Sequence, residues 1–329
     1  MSKLRVLFIG GTGVISAACV REAVARDLEV TVVNRGQSAD RPLPPEVRVL
    51  RADARDAGTV RDAIGDLDFD CVVDFVAFTP EQVQADVDLF TGRTGQYVFI
   101  SSASAYQKPP SRLPITESTP LRNPYWLYSR DKIACEDLLV AEYRDRGFPA
   151  TIVRPSHTYD ETKTVLHGGW TSLARMRAGR PVIVHGDGTS LWTVTHASDF
   201  ARAFAALLGN PRTVGEAFHI TSDDVLTWDQ ITRALGAGLG AEPTIVHVPS
   251  DAIAAVDPEW GAGLLGDKAH SVIFDNSKIK SVAPGWRAVI PFEQGAREIA
   301  DWYLAHPRHQ VVDPREDALM DKLAADFGV

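Results

Sequence analysis

The sequence predicts a doubly wound α/β fold, with helices on both faces of a mainly parallel sheet. Over residues 1–155, short apolar runs rich in β-branched residues alternate with helical stretches. Near-continuous apolar strands of this kind are typical of parallel sheets that are buried on both faces. A chain of 329 residues is long enough for such a sheet and a second, smaller lobe.

The predicted elements follow one another in regular alternation. We expect strands at residues 5–9, 29–33, 47–50, 70–76, 97–101 and 151–154, and helices at residues 14–26, 56–65, 80–91 and 129–146. In a doubly wound sheet, ligands bind at the carboxyl ends of the strands. The residues that fall at these ends are Gly10, Asp53, Ala77, Ser102 and Pro155.

The first strand runs directly into a glycine-rich turn, which reads Phe-Ile-Gly-Gly-Thr-Gly-Val-Ile-Ser at residues 8–16. Gly10 permits the sharp turn, and Gly13 lets the backbone approach a pyrophosphate at the helix N-terminus. In this strand–turn–helix context the motif predicts a Rossmann dinucleotide site. The residues expected to bind the cofactor here are Gly10, Thr12, Gly13, Val14 and Ile15.

The tip of the second strand selects the cofactor. A carboxylate there would bind the adenosine ribose and favour NAD, but this chain has Asn34 followed by Arg35. Arg35 could hold a 2′-phosphate, which slightly favours NADP. Alternatively, Asn34 binds the ribose and Arg35 is solvated. Asp53, after the third strand, is either a contact of the adenine amino group or a surface turn residue.

Ser102, Tyr128 and Lys132 are the candidate catalytic residues. Tyr128 and Lys132 are four residues apart in a predicted helix, so they share one face. We expect the Lys132 ammonium to lower the pKa of the Tyr128 phenol, which then takes a proton from a substrate hydroxyl held by Ser102. Tyr-x-x-x-Lys alone occurs by chance in many surface helices, so this interpretation depends on the glycine turn as well.

The sequence changes character after Pro155, where Pro, Gly, His and Trp become frequent. We predict a dinucleotide-binding Rossmann domain at residues 1–155 and a mainly substrate-binding α+β lobe at residues 156–329. A helix and a strand near residues 195–225 are expected to return to the sheet. The charged tail after Pro307 is expected to be peripheral.

Composition excludes several classes of function. A net charge of −9 and a pI near 5.5 oppose non-specific binding to nucleic acid or to anionic membranes. The first residues do not read as a signal peptide, and no apolar run is long enough to span a membrane. We expect a cytoplasmic protein with reduced cysteines and no metal, since its cysteines have no metal-type spacing.

Together these motifs resemble the extended short-chain dehydrogenase/reductase family, the NAD-dependent epimerase/dehydratase group. Gly10, Gly13 and Ser16 stand where that family has Gly-x-x-Gly-x-x-Gly, and residues 154–159 resemble its Arg-Pro-x-Asn-x-Tyr segment. The resemblance implies that Lys132 also binds the nicotinamide ribose and that Pro155 passes close to the carboxamide. It also implies a homodimer that forms through helices 80–91 and 129–146.

Departures from the family pattern concern the substrate. His157 replaces an Asn that often contacts the sugar, and Trp192 replaces an Arg that binds a diphosphate. We therefore expect a substrate with little negative charge, such as a nucleoside, a free glycoside or a natural-product sugar. The candidate substrate contacts are Ser104, His157, His167, Trp170 and Trp192. For His167 a solvated loop residue is the alternative, and for the two tryptophans it is core packing.

The preferred function is a redox-neutral epimerisation or dehydration of a sugar or nucleoside through a transient ketone, with tightly held NAD or NADP. Ala103-Ser104 follows Ser102 where sugar 4,6-dehydratases commonly carry Asp-Glu, which argues against that reaction in its usual form. The first alternative is an NADPH-dependent carbonyl reductase. The second is a non-enzymatic redox sensor or RNA-associated protein, which the retained Ser102, Tyr128 and Lys132 disfavour.

Overall fold

The computed structural model describes residues 3–36 and 40–328. The strands are β1 Arg5–Ile9, β2 Glu29–Asn34, β3 Arg48–Arg51, β4 Cys71–Asp74, β5 Tyr97–Ile100, β6 Ala150–Pro155, β7 His157–Tyr159, β8 Val182–His185, β9 Leu191–Trp192, β10 Val194–His196, β11 Ala217–Ile220, β12 Leu226–Thr227 and β13 Ile245–Val248. The α-helices are α1 Val14–Ala25, α2 Ala57–Ile64, α3 Pro80–Phe90, α4 Leu127–Arg146, α5 Trp170–Arg177, α6 Ala197–Phe204, α7 Trp228–Gly238, α8 Ser250–Val256, α9 Pro258–Gly263, α10 Ser277–Val282, α11 Phe292–Ala305 and α12 Pro314–Phe327.

The central sheet has seven strands in the order β11-β6-β5-β4-β1-β2-β3, and every neighbouring pair is parallel. The order reverses between β1 and β4, which opens a crevice at their carboxyl ends. The predicted doubly wound α/β fold is therefore confirmed. Strand β11 extends the sheet from a distant part of the chain, and α6 packs against α1.

The apolar runs of the strands supply core to both faces of the sheet. In β1, Val6 and Phe8 join one core with α1 and α6, whereas Leu7 and Ile9 join a second core beneath α2, α3 and α4. All four side chains are fully buried. Because successive residues of a strand point to opposite faces, a central strand with helices on both sides needs an unbroken apolar sequence.

The remaining strands and helices form the smaller lobe, with a core of its own. Short paired strands (β7 with β10, β9 with β12, β8 with β13) pack with α5, α7 and α11 around residues such as Leu173, Ile231 and Ile299. In the described ranges, no helix combines the length and the apolar character needed to cross a membrane.

The tail after Pro307 is not peripheral, contrary to expectation. Its helix α12 buries Met320 and Leu323, each 1% exposed. Asp317 and Asp321, one turn apart, pair with Arg175 and Arg180 of the lobe at 2.7–2.9 Å. The charges that suggested a solvated tail therefore attach the helix to the lobe.

Candidate active site

A cleft of about 500 Å³ lies between the carboxyl edge of the central sheet and the lobe. It gathers residues from the first helix, the end of β5, the start of α4 and the lobe. The predicted site residues that line it are Gly13, Val14, Ile15, Ser102, Ser104, Tyr128, Lys132, Pro155, His157 and Trp192.

The glycine turn forms a close-fitting floor beside the cleft. Gly10 has φ +81°, and a Cβ atom there would come within 2.4 Å of the Val76 side chain. Gly11, which the sequence analysis did not single out, lies so close to Val32 that a Cβ would approach it to 2.6 Å. Gly13 precedes α1 and donates its N–H to Ser16 Oγ at 2.8 Å. A backbone cradle at a helix N-terminus fits the pyrophosphate of a dinucleotide.

The residues at the tips of β2 and β3 extend this floor. Asn34 is buried, and its Oδ1 accepts from the Gly36 N–H at 2.8 Å, so its amide oxygen shapes the turn. Arg35 is exposed, and Arg51 lies opposite Asn34 on β3. Asp53 is exposed and caps its own turn by accepting from the Arg55 N–H at 3.1 Å. Sequence reasoning missed Arg51 because the register of β2 against β3 places it there.

Lys132 lies deep beneath the cleft, only 1% exposed. Its Nζ donates to the carbonyl oxygens of Ala77 and Ile100, each at 2.7 Å. It also lies 4.6 Å from the ring centroids of Phe78 and Phe99. Burial lowers the pKa of Lys132 to about 8, an effect that the negative charge of Asp74 opposes.

Tyr128 stands at the cleft with its ring 4.8 Å from that of Trp126 and 6.2 Å from that of Phe78. Burial raises the pKa of the phenol, and the negative charge of Asp267 acts in the same direction, while the hydrogen bond with Ser102 opposes both. The expectation that Lys132 lowers this pKa in the protein alone is therefore wrong, since the ammonium donates to backbone carbonyls. Tyr128 is a neutral phenol that is ready to donate a proton.

A chain of three hydroxyl groups orients Ser102. Ser129 Oγ donates to Ser104 Oγ at 2.8 Å, and Ser104 Oγ lies 2.9 Å from Ser102 Oγ. The Ser104 N–H also donates to Ser102 Oγ at 3.1 Å. Either hydroxyl can be the donor between Ser104 and Ser102; when Ser104 donates, the proton of Ser102 is directed either to Tyr128 or to a ligand oxygen in the cleft. Ser104 lines the cleft but is 3% exposed and acts on Ser102.

The lobe contributes a neutral imidazole to the opposite wall. Trp192 Nε1 donates to His157 Nδ1 at 3.3 Å, which places the imidazole proton on Nε2. Burial lowers the pKa of His157 well below its ordinary value, and the positive charges of Lys268 and Lys163 act in the same direction. His157 is therefore a neutral donor at physiological pH.

Three charged residues of this wall were missed by the sequence analysis. Lys163, Asp267 and Lys268 line the cleft, and Asp267 pairs at 2.8 Å with Lys108, which is 1% exposed. Asp267 and Lys268 lie on a π-turn, Leu264–Lys268, whose Gly266 carbonyl accepts from Asn123 at 2.6 Å. The cleft thus contains cationic groups that the family pattern alone did not locate.

Two predicted substrate contacts lie outside this cleft. His167 lines a neighbouring cavity of about 440 Å³, where it stacks on Trp260 at 3.9 Å and its Nε2 lies 2.7 Å from Glu316 Oε2. The cleft and this cavity share Trp126, His157, Lys163 and Lys268 in their walls. Trp170 is 6% exposed and packs on Tyr303 with ring centroids 5.1 Å apart. It is a core residue, and its assignment as a substrate contact was wrong.

Metal ligation has no structural support in the part of the chain that the structure describes. Within residues 3–36 and 40–328, no group of three or more His, Cys, Asp or Glu side chains is arranged to hold a metal ion. The described cysteines, Cys19, Cys71 and Cys135, are free and buried.

Comparison with known proteins gives a consistent picture. Residues 6–221, more than half of the chain, match the NAD dependent epimerase/dehydratase family. The chain is 28% identical over 321 residues to the 2′-dehydrokanamycin reductase of Streptomyces kanamyceticus. The match covers 93% of this chain and 86% of the reductase. It is 29% identical over 259 residues to the chloroplast stem-loop binding protein of 41 kDa b of Arabidopsis thaliana, covering 75% and 66% of the two proteins.

A solved structure shares the fold over nearly the whole chain. The dTDP-glucose 4,6-dehydratase DesIV of Streptomyces venezuelae, solved with NAD bound, superposes with a TM-score of 0.74. The two chains are 23% identical, and the match covers 93% of this chain and 98% of the other.

Proposed function

Because this chain belongs to the NAD-dependent epimerase/dehydratase family, we propose that it is a sugar-modifying enzyme that works through a transient ketone. The observation that carries the proposal is the convergence of Ser102, Tyr128 and Lys132 with the glycine turn around one cleft. The overall reaction that we propose is a redox-neutral epimerisation or dehydration. The division into a Rossmann domain at residues 1–155, with returning segments near 195–225, and a substrate lobe is part of this proposal.

The strand ends and helix starts of the central sheet form one wall of the cleft, the sheet wall. Its side chains transfer the proton of the substrate hydroxyl. Ser102, which Ser104 orients, donates its hydroxyl proton to the substrate oxygen when substrate is bound and so fixes its position. For oxidation of the carbinol, Tyr128 first loses its own proton to solvent, and the phenolate then takes the hydroxyl proton and gives it back when the ketone is reduced. A nicotinamide bound at the cleft would accept and return the hydride. Because Tyr128 is neutral at rest, the free protein is set for the reducing direction.

The lobe wall carries the groups for the second half of the reaction. A ketone acidifies the neighbouring C–H bonds, so a base near the substrate can remove that proton and leave the electron pair in an enolate. Asp267 is the carboxylate that lines the cleft and lies near Tyr128, and His157 offers an N–H donor. These two residues supply the acid/base pair that is missing after Ser102.

We propose NADP as the preferred cofactor. Arg35 and Arg51 are exposed at the tips of adjacent strands, where a 2′-phosphate would lie, and Asn34 uses its amide oxygen within the turn. Two guanidinium groups would bind that phosphate by charge-assisted hydrogen bonds. We further propose that the cofactor is retained between turnovers and that α3 and α4 form the interface of a homodimer.

A net reduction of a keto sugar by NADPH is the second candidate. It is favoured by the match to a reductase over 93% of the chain and by the raised pKa of Tyr128. The uncharged substrates expected from the sequence, such as a glycoside, suit either reaction. Lys163 and Lys268 line the cleft and could also bind an anionic group of a substrate.

The purified protein distinguishes the two candidates. Its bound nucleotide is identified by mass spectrometry, and the protein is then incubated with UDP-glucose, dTDP-glucose and 2′-dehydrokanamycin. A redox-neutral enzyme converts its substrate without net change in NADPH absorbance, whereas a reductase consumes NADPH in step with product. Absence of nucleotide binding together with tight RNA binding at physiological salt would refute both.

A further inference from the structure

A buried pair of carboxylates lies behind Lys132, and the proposed reaction does not use it. Asp74 ends β4 and is 2% exposed, while Asp86 in α3 is 7% exposed. Tyr97 of β5 is fully buried between them. Its hydroxyl oxygen lies 2.7 Å from Asp86 Oδ2 and 3.3 Å from Asp74 Oδ2.

The number of protons in this cluster follows from its contacts. A tyrosine hydroxyl has one proton, so Tyr97 can donate to only one of the two carboxylates. If both were ionised, the other contact would hold two oxygens together with no proton between them. A proton on Asp86 satisfies every contact, because Asp86 then donates to Tyr97 and Tyr97 donates to Asp74. Burial and the charge of Asp74 raise the pKa of Asp86 well above its ordinary value.

Asp74 is connected to Lys132 through the backbone. Asp74 Oδ1 accepts from the N–H groups of Val76 at 2.5 Å and Ala77 at 3.0 Å, which fixes the loop between β4 and α3. The carbonyl of the same Ala77 accepts from Lys132 Nζ at 2.7 Å. Asp74 therefore orients an acceptor of the ammonium and also offsets part of the cost of burying its charge.

We propose that Asp74 and Asp86 form a one-proton carboxylate pair, bridged by Tyr97, that positions the Lys132 ammonium at the cofactor site. The proposal rests on the proposed role of Lys132. Asp74 and Asp86 are positioning residues. The other titratable or charged groups that face this region are Cys135 and Glu136 of α4 and Arg55 of the loop before α2.

The shared proton can be observed without any ligand. Infrared spectroscopy at neutral pH should show the carbonyl band of a buried protonated carboxyl group, with a shift in D₂O. Asp86→Asn should remove the band, and the control Asp88→Asn, an exposed residue of the same helix, should retain it. A native protein without the band, or an Asp86→Asn protein that keeps it, would overturn the pair.

The effect on Lys132 is measured through the cofactor. The dissociation constant for NADH is followed by fluorescence between about pH 6.5 and 9.5, a range that brackets the lowered pKa of Lys132. We expect binding to weaken as Lys132 loses its proton near pH 8. Asp74→Asn, which keeps the loop-capping oxygen, should move the midpoint down by about one pH unit. Asp88→Asn should leave the midpoint in place, and Lys132→Met should abolish it.

The positioning role of Asp74 and the proposed function can fail independently. An unchanged midpoint in Asp74→Asn would overturn the positioning role while leaving the proposed function intact. If the native protein bound neither NADH nor NADPH, the proposed function would fail, and the infrared band would still decide whether the carboxylate pair exists.

Discussion

The two walls of the cleft are built in different ways. The sheet wall consists of strand ends and helix starts, and Ser102, Tyr128 and Lys132 are placed there by the parallel topology and by backbone contacts. The lobe wall consists of single side chains such as Trp192 and Asp267, on a two-residue strand and a π-turn. The difference suggests that transfer of the hydride and the hydroxyl proton belongs to the sheet wall. The lobe wall would supply the second acid/base pair and the substrate contacts, and there one contact can change alone.

The largest effect tests the sheet wall. Tyr128→Phe removes the proton donor but keeps the ring packing on Trp126, so we expect kcat to fall by roughly a thousandfold or more. NADPH affinity should remain unchanged. The control is Tyr125→Phe, three residues earlier and 46% exposed. Steady-state kinetics with whichever sugar proves active measures kcat, and fluorescence titration measures the affinity for NADPH. Near-normal turnover of Tyr128→Phe would refute the mechanism.

The next effect tests whether the lobe wall depends on single contacts. Asp267→Asn leaves the ammonium of Lys108 buried without its counter-charge. We expect the free energy of unfolding to fall by about 3 kcal/mol, because breaking a buried ion pair from one side is strongly destabilising. Urea denaturation measures it, with Asp187→Asn, an exposed residue of the same lobe, as the control. Equal stability of the two variants would show that the Lys108–Asp267 ion pair does not stabilise the lobe wall.

A smaller effect concerns the adenosine end of the sheet wall. Arg35→Ala should weaken NADPH binding by about tenfold and leave NADH binding unchanged, since only the 2′-phosphate is affected. Arg48→Ala, an exposed arginine at the opposite end of β3, is the matched control. Equal losses for both cofactors would instead assign Arg35 a structural role.

The last effect is the pH dependence of stability that Lys132 contributes, which is small over any single pH unit. Its pKa in the folded protein, about 8, is lower than that of a free lysine, so the unfolded chain binds more protons between about pH 8 and 10.4. The contribution of Lys132 to the free energy of unfolding therefore rises with pH in this window, by on the order of 1 kcal/mol per pH unit. Denaturation of the native protein and of Lys132→Met at both ends of the window isolates this slope. A slope shared by both proteins would assign it to other groups.

The sheet wall was predictable because local sequence determines it. Strand β1 has the predicted bounds, and β5 and α4 differ from prediction by one or two residues at one end. Each places its candidate residue at a strand end or in the first turns of a helix, so the positions of the glycine turn, Ser102 and Tyr128 followed from pattern and topology.

The lobe wall was not predictable by the same reasoning. Lys108, Lys163 and Lys268 are distant in sequence, and only the tertiary fold brings them to one side of the cleft. Trp170 begins α5 and Trp192 ends β9; the first packs in the core and the second lines the cleft. The ionisation state of Tyr128 was also not predictable from the sequence, because burial has a larger effect on its pKa than the neighbouring lysine.

The docking of α12 makes the smaller lobe depend on two carboxylates, those of Asp317 and Asp321. Their loss would leave the guanidinium of Arg175, which is 1% exposed, buried in the lobe without these two counter-charges. Glu316, in the same helix, forms part of the smaller cavity. Detachment of α12 should therefore erode the choice of substrate while the central sheet stays folded.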